Sequence, residues 1–267
     1  MNKHIIKKTL KQNWKPLFWY GVSLFSYTWI IVSIYPSIAK TSGYEEVLKN
    51  FPKEMLTIFG IDADFNMNFA SYAGGEYLSL MFPLILGAYI ASFATRFITK
   101  EIESGQISNL LSQPISRVSI YLSRVVAFIM GVCLLVVLTF IPMPLLSRIY
   151  DYTIGWSGIY KVTFMSILFA LAYGGISFLF SALFSDRGKS LGISLGFFII
   201  SYLVYVLGSI NKTIKNYDWL SIFKYYRPVD ALKDKAIDQG DVFILLAVFI
   251  VATILGLLWF RKRDISV

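Results

Sequence analysis

The chain is short of the groups on which catalysis and metal binding depend. It holds one cysteine, Cys133, and one histidine, His4. A lone cysteine cannot pair within the chain, which excludes a disulfide scaffold. His4 stands outside every long apolar stretch, so no Ser–His or Cys–His dyad can form there. No set of His, Cys, Asp and Glu has metal-ligand spacing. Charge is scarce too: 15% of the 267 residues are charged, against about 25% in a soluble domain. Six stretches lack Asp, Glu, Lys, Arg and His altogether: 17–35, 77–95, 125–147, 162–185, 190–211 and 242–260. Ion-coupled carriers place ionisable groups inside their spans. Their absence argues against an intramembrane hydrolase and weakens a self-powered carrier, for which neutral coordination by backbone carbonyls stays open.

What is abundant is apolar surface. Hydrophobic residues make up 56% of the chain and aromatics 17%. Crossing a bilayer core of roughly 30 Å takes about 20 apolar residues in helix, and each of the six stretches meets that length. Backbone polar groups in lipid must be satisfied within the segment, and the stretches lack the alternation of barrel strands. The reading is an all-α membrane protein with six transmembrane helices forming a single transmembrane domain over 1–267.

The formal charge of +9 becomes a topology signal once it is sorted. With six spans both termini share a side. That side carries 14 basic and 4 acidic residues, and the other carries 11 basic and 12 acidic ones. Short basic clusters at helix ends mark the cytoplasmic face, so both termini are placed inside and no nucleic-acid partner is called for. The first apolar run is longer than a signal-peptide core and is followed by Tyr35 and Pro36, so it stays in the membrane. Residues 1–16 form a basic amphipathic helix: Ile5, Ile6, Thr9, Leu10 and Trp14 fall on one half, Lys7, Lys8, Lys11 and Lys15 on the other. Such a helix lies in the headgroup plane, and Pro16 allows a bend into the first span.

Three segments stand out as functional. The inner loop 99–120 carries Ile107, Leu110 and Leu111 at i, i+3, i+4 spacing, with Pro114 limiting the short helix they predict. Its apolar face is too small for a core and needs lipid or a partner groove. Gly188, Gly192 and Gly196 recur every four residues, the spacing that lets two helices approach closely. This strip fits either a seam with a second subunit or packing within the chain. The outer loops 36–76 and 212–241 hold short helix-like runs, 45–51 and 53–60 in the first, and an aromatic, basic stretch 219–228 in the second that suits the membrane interface. Gly188-Lys189-Ser190 imitates the end of a phosphate-binding loop, but Leu183 stands where that motif needs Gly, and no strand precedes it.

The stretch E-I-E-S-G-Q-I-S-N-L-L-S-Q-P-I-S-R, from Glu101 to Arg117, resembles the first cytoplasmic loop of bacterial ABC-2 type transporter permeases. Those proteins show an acidic residue, a Gly, a Leu-Leu-Ser-like run and then Pro-x-(Ser)-Arg before the next span. The closing Trp259-Phe260-Arg261-Lys262-Arg263-Asp264-Ile265 is similar to the family's ending. The plan of the whole chain also fits: amphipathic start, six spans, a large first outer loop and a further loop before span six.

The resemblance implies a type V exporter-like architecture and a membrane subunit of an ABC exporter in the bacterial cytoplasmic membrane. It implies a second permease subunit, identical or merely similar, and separate ATPase subunits that bind ATP and Mg. This chain itself is expected to be no enzyme and to hold no cofactor. The coupling set would be Glu101, Glu103, Gly105, Gln106, Ile107, Leu110, Leu111, Pro114 and Arg117, with the helix Gln106–Gln113 seated on the ATPase. Glu101 and Glu103, at the neighbouring helix end, would pair with basic residues of the partner or of the N-terminal helix. The glycine strip would lie at the seam, where the family tends to place its first and fifth spans. An amphipathic or hydrophobic cargo, such as an antimicrobial or cytolytic peptide or a drug, suits spans without fixed charge. A non-transporting anchor or sensor subunit, and a stand-alone channel or secondary carrier, are the alternatives.

Overall fold

Each apolar stretch becomes a helix, and the helices all start before the stretches that predict them. They are α1 Lys3–Ala39, α2 Phe69–Glu103, α3 Arg117–Ile149, α4 Trp156–Leu183, α5 Arg187–Ile210 and α6 Gln239–Lys262. All 6 are long and apolar enough to cross a membrane, and no strand occurs among the described residues. The computed structural model describes residues 2–39, 69–105, 115–150 and 154–263. The runs at 45–51 and 53–60 lie outside the described residues.

Side-chain caps set several starts. Ser116 accepts from the Ser119 N–H at 3.2 Å, Asp186 from that of Lys189 at 2.7 Å, and Asp238 from that of Gly240 at 2.8 Å. Each cap satisfies a backbone donor that the first helical turn leaves open, a contribution of about 1 kcal/mol.

The expected separate helix over 1–16 is corrected. α1 runs unbroken through Pro16. Its buried stripe (Ile5, Thr9, Asn13, Leu17, Gly21, Leu24, Thr28) crosses the proline without a change of face. Tertiary contact explains this. The Asn2 N–H donates to Ser123 Oγ on α3 at 2.9 Å, and Asn13 Nδ2 donates to the Tyr89 hydroxyl on α2 at 2.7 Å. Neighbouring helices can compensate for the bond that a proline removes. The buried face differs from the predicted one as well: Asn13 turns inward, and Trp14 is 61% exposed.

α4 is the hub. It packs on α6, α2, α3 and α5, and its glycines set the approach. A Cβ on Gly175 would meet the Phe249 carbonyl oxygen of α6 at 2.8 Å, and one on Gly174 would meet the Phe128 ring of α3 at 2.3 Å. Aromatic rings fill the space towards the basic end of the bundle: Phe93–Phe97 centroids are 4.8 Å apart and Phe128–Phe178 5.4 Å. α2 is not regular. Gly74–Met81 and Thr95–Thr99 are π-helical, a form found mostly as local bulges and frequently at functional sites.

Between α5 and α6 the chain makes short helical turns at Lys212–Lys215, Asp218–Leu220, Ile222–Tyr225 and Pro228–Leu232. The segment is re-entrant. Phe223 packs 5.0 Å from Phe169 and 5.1 Å from Phe198 by ring centroid, and Tyr226 stacks on Phe169 at 4.7 Å. Phe169 and Phe198 sit near the middles of α4 and α5. Val229 wedges against Gly74 of α2, and the Leu232 carbonyl against Gly158 of α4. A clasp closes the segment's far side. Lys161 donates to Asp234 Oδ1 at 2.6 Å and to the carbonyls of Asp234 and Lys235 at 2.9 and 3.1 Å. Hydrogen bonds from Lys161 and then Ser157 hold the Asp234 carboxyl below the usual carboxylate range.

Candidate functional site

The inner loop springs from the end of α2 and returns at the start of α3, and its two roots are tied into the bundle. α2 ends with Gly105 at φ +68°, a left-handed turn that costs other residues a Cβ clash. The Gly105 N–H donates to the Ile102 carbonyl at 3.1 Å, closing the helix in the manner of a left-handed C-terminal cap.

Immediately before this turn stands Glu101. Its carboxylate pairs with Arg124 on α3, a side chain 2% exposed. Arg124 also donates to the Phe97 carbonyl, which lies in the π-helical turn Thr95–Thr99. The expected pairing of Glu101 with a partner chain or the N-terminal helix is corrected: its cation comes from the third span. Sequence reading placed Arg124 in the loop because the apolar run starts at Val125. The helix starts at Arg117 instead, so Arg124 lies two turns inside it and points into the protein. A buried arginine survives there only because Glu101 and a backbone carbonyl meet it.

Glu103 is exposed, and its Oε2 accepts from the Arg187 N–H at the start of α5 at 3.1 Å. Glu103, Lys100, Ser104, Arg187, Gly188 and Leu191 border an open cleft of about 630 Å³. The other root, Arg117, donates to the Arg263 carbonyl at 2.5 Å. Arg263 in turn caps α4, donating to the carbonyls of Ala182 and Phe184 at 2.8 and 3.0 Å and to Ser185 Oγ. Thr99 on α2 donates to the Ser181 carbonyl of α4 at 3.0 Å and lies 3.1 Å from Ser190 Oγ of α5. The loop roots are thus bound to α3, α4, α5 and α6. Gln106, Ile107, Leu110, Leu111 and Pro114 of the expected coupling set lie outside the described residues.

The glycine strip opens away from the protein. A Cβ on Gly192 or Gly196 would meet nothing within 4 Å, and one on Gly188 would meet only Asp186 Oδ1 at 3.3 Å. Among the described residues these glycines are therefore not packed against another helix.

Sequence reasoning missed the Glu101–Arg124 pair, the Thr99–Ser181–Ser190 cluster and the depth of the re-entrant segment. Only the last left a usable signal, the apolar run Ile222-Phe223 between polar neighbours. Comparison with curated proteins brought no match. The family model described as ABC-2 family transporter protein matches residues 24–265, nearly the whole chain, including both loop roots, the re-entrant segment and the arginine that caps α4. The chain belongs to the ABC-2 family of transporter membrane proteins.

Proposed function

We propose that the protein is the membrane-spanning half of an ATP-driven exporter, working as a pair of permease subunits with separate ATPase subunits that hold ATP and Mg. The observation that carries this reading is the anchoring of both roots of the inner loop. A loop that receives force from an ATPase must pass it on, and rigid ties at Glu101–Arg124 and Arg117–Arg263 give it helices to push. Nucleotide binding would draw the ATPases together and favour the membrane shape that fits the closed pair. A ligand moves such an equilibrium only by its differential affinity for the two shapes. The open strip Gly188, Gly192 and Gly196 on α5 offers the second permease subunit a close approach. The cargo proposed is amphipathic or hydrophobic, such as a cytolytic or antimicrobial peptide or a drug, because the middle stretches of the helices carry no fixed charge.

Co-purification with an ATP-binding cassette protein, sought first in the adjacent reading frames, tests the proposal. Expected is a stable complex in proteoliposomes whose ATP turnover rises several-fold with an amphipathic peptide, together with ATP-dependent peptide movement. Transport by the lone chain without nucleotide would overturn it in favour of a carrier or channel. A complex whose turnover ignores every cargo would favour the anchor or sensor reading.

A further inference from the structure

The first four turns of α1 carry Lys3, Lys7, Lys8, Lys11 and Lys15, all exposed. Four of them stand at strict i, i+4 spacing, where like charges repel one another along a helix. α1 contains no acidic residue, and none of the five lysines makes an ion pair among the described residues. Among the described residues the repulsion meets no counter-charge.

The lysines point directly away from the bundle. Their face is opposite the stripe Ile5, Thr9 and Asn13 that packs on α3 and α2. Further along the same outward face come Trp14, Phe18 and Trp19, the last 67% exposed, with ring centroids 6.1 and 5.4 Å apart. Beyond them on that face, Val22 and Trp29 are exposed along the apolar part of the span. The outward side of the helix therefore carries five cations from Lys3 to Lys15, an aromatic group that overlaps the last of them, and then the exposed apolar Val22 and Trp29. Trp and Tyr mark the level where hydrocarbon meets headgroups. The bond from Asn2 to Ser123 sets the lysine end beside Arg124, at the basic end of the bundle.

We propose that this face of α1 is a binding surface for anionic phospholipid headgroups, with the lysines meeting lipid phosphates and Trp14, Phe18 and Trp19 seating the acyl boundary. Val22 and Trp29 are apolar and exposed in this subunit, and where a bilayer covers them the same cover reaches the lysines. The helix docks upright along the bundle, so the lipids line its length as an annulus and are not covered by it. A second copy of this face would repel the first, which excludes a symmetric α1–α1 contact through the lysines.

The test uses the full chain alone, in nanodiscs of phosphatidylcholine with a minority of phosphatidylglycerol. The lipid retained after brief detergent extraction is measured by mass spectrometry. Each lysine near an anionic surface contributes about fivefold in partitioning. Phosphatidylglycerol is expected to be enriched several-fold over the bulk ratio, and the enrichment is expected to vanish in the triple variant Lys7→Gln, Lys8→Gln, Lys11→Gln. High salt should also abolish it, since screening shortens to about 3 Å at 1 M. The control pair Lys212→Gln, Lys215→Gln, at the other end of the bundle, should retain it. An unchanged melting temperature in pure phosphatidylcholine shows that the triple variant folds. Retention at the bulk ratio by the wild type, or enrichment that persists in the triple variant, overturns the proposal. Displacement by soluble glycerol phosphate overturns it equally, because that marks a free-phosphate site.

Discussion

Arg124 and Glu101 set the energetics at the basic end of the bundle. Taking an arginine out of water costs several kcal/mol, and the carboxylate and the Phe97 carbonyl offset that cost where they meet it. Removing one partner leaves a buried charge alone. Glu101→Gln is expected to lose about 3–5 kcal/mol, read as a fall in the detergent melting temperature of the full chain. Replacing both partners, Glu101→Leu with Arg124→Met, should recover most of the loss, because two apolar side chains of similar volume need no counter-charge. A double variant as unstable as Glu101→Gln would mean that the pair acts through shape and not through charge. Neither residue announced this role in sequence. Glu101 read as a surface acid in a coupling motif, and Arg124 as the last loop residue before Val125. A pattern along the chain reports which face a residue occupies. It does not report that two helices cross so that one residue on each meets the other.

At the scale of elements, glycines separate contacts made inside the protein from contacts left open. Gly158 and Gly175 of α4 face backbone: a Cβ would come within 2.4 Å of the Leu232 carbonyl oxygen in the first case and 2.8 Å of the Phe249 carbonyl oxygen in the second. Backbone cannot rotate out of the way, so Gly158→Ala should unseat the re-entrant segment and Gly175→Ala should part α4 from α6. Overpacking of this kind costs about 1–3 kcal/mol. A Cβ at Gly192 meets nothing within 4 Å among the described residues, so Gly192→Leu should leave the melting temperature of the dispersed subunit unchanged while lowering cross-linking between subunits. Unchanged cross-linking would remove α5 from the seam. The regular spacing of Gly188, Gly192 and Gly196 was legible as a close-approach strip, but spacing has no information on what approaches. The six spans were legible because lipid imposes one length and one composition on all of them. Helix ends were not, since Phe69–Tyr77 and Arg117–Arg124 are held by neighbouring helices and not by lipid. α1 shows the same limit: Pro16 read as a bend, and the contacts of Asn2 and Asn13 keep the helix whole.

Taken as a whole, the molecule separates charge between its two ends. Lys3 to Lys15, Lys100, Arg117, Arg124, Arg187 and Arg263 gather at one end, joined there by Asn2–Ser123, Glu101–Arg124, Glu103–Arg187 and Arg117–Arg263. The other end mixes signs, with Lys161–Asp234, Lys224–Asp218, Arg227–Asp241 and Lys235–Asp230 paired across the re-entrant segment. Lysine and arginine resist translocation during insertion whereas acids contribute little, so the end with the excess of basic residues is expected to face the cytoplasm. The single cysteine makes this easy to check. Cys133→Ser gives a cysteine-free background into which one cysteine is placed at Lys8, Lys212 or Lys262, all exposed positions. A membrane-impermeant maleimide applied to intact cells should label the Lys212→Cys variant and spare the other two, and all three should react once the membrane is opened. Labelling of the variants at Lys8 and Lys262 in intact cells would invert the protein. Inversion would place the loop roots beyond the reach of any cytoplasmic ATPase and end the exporter reading, while the headgroup surface on α1 would stand, on the opposite leaflet.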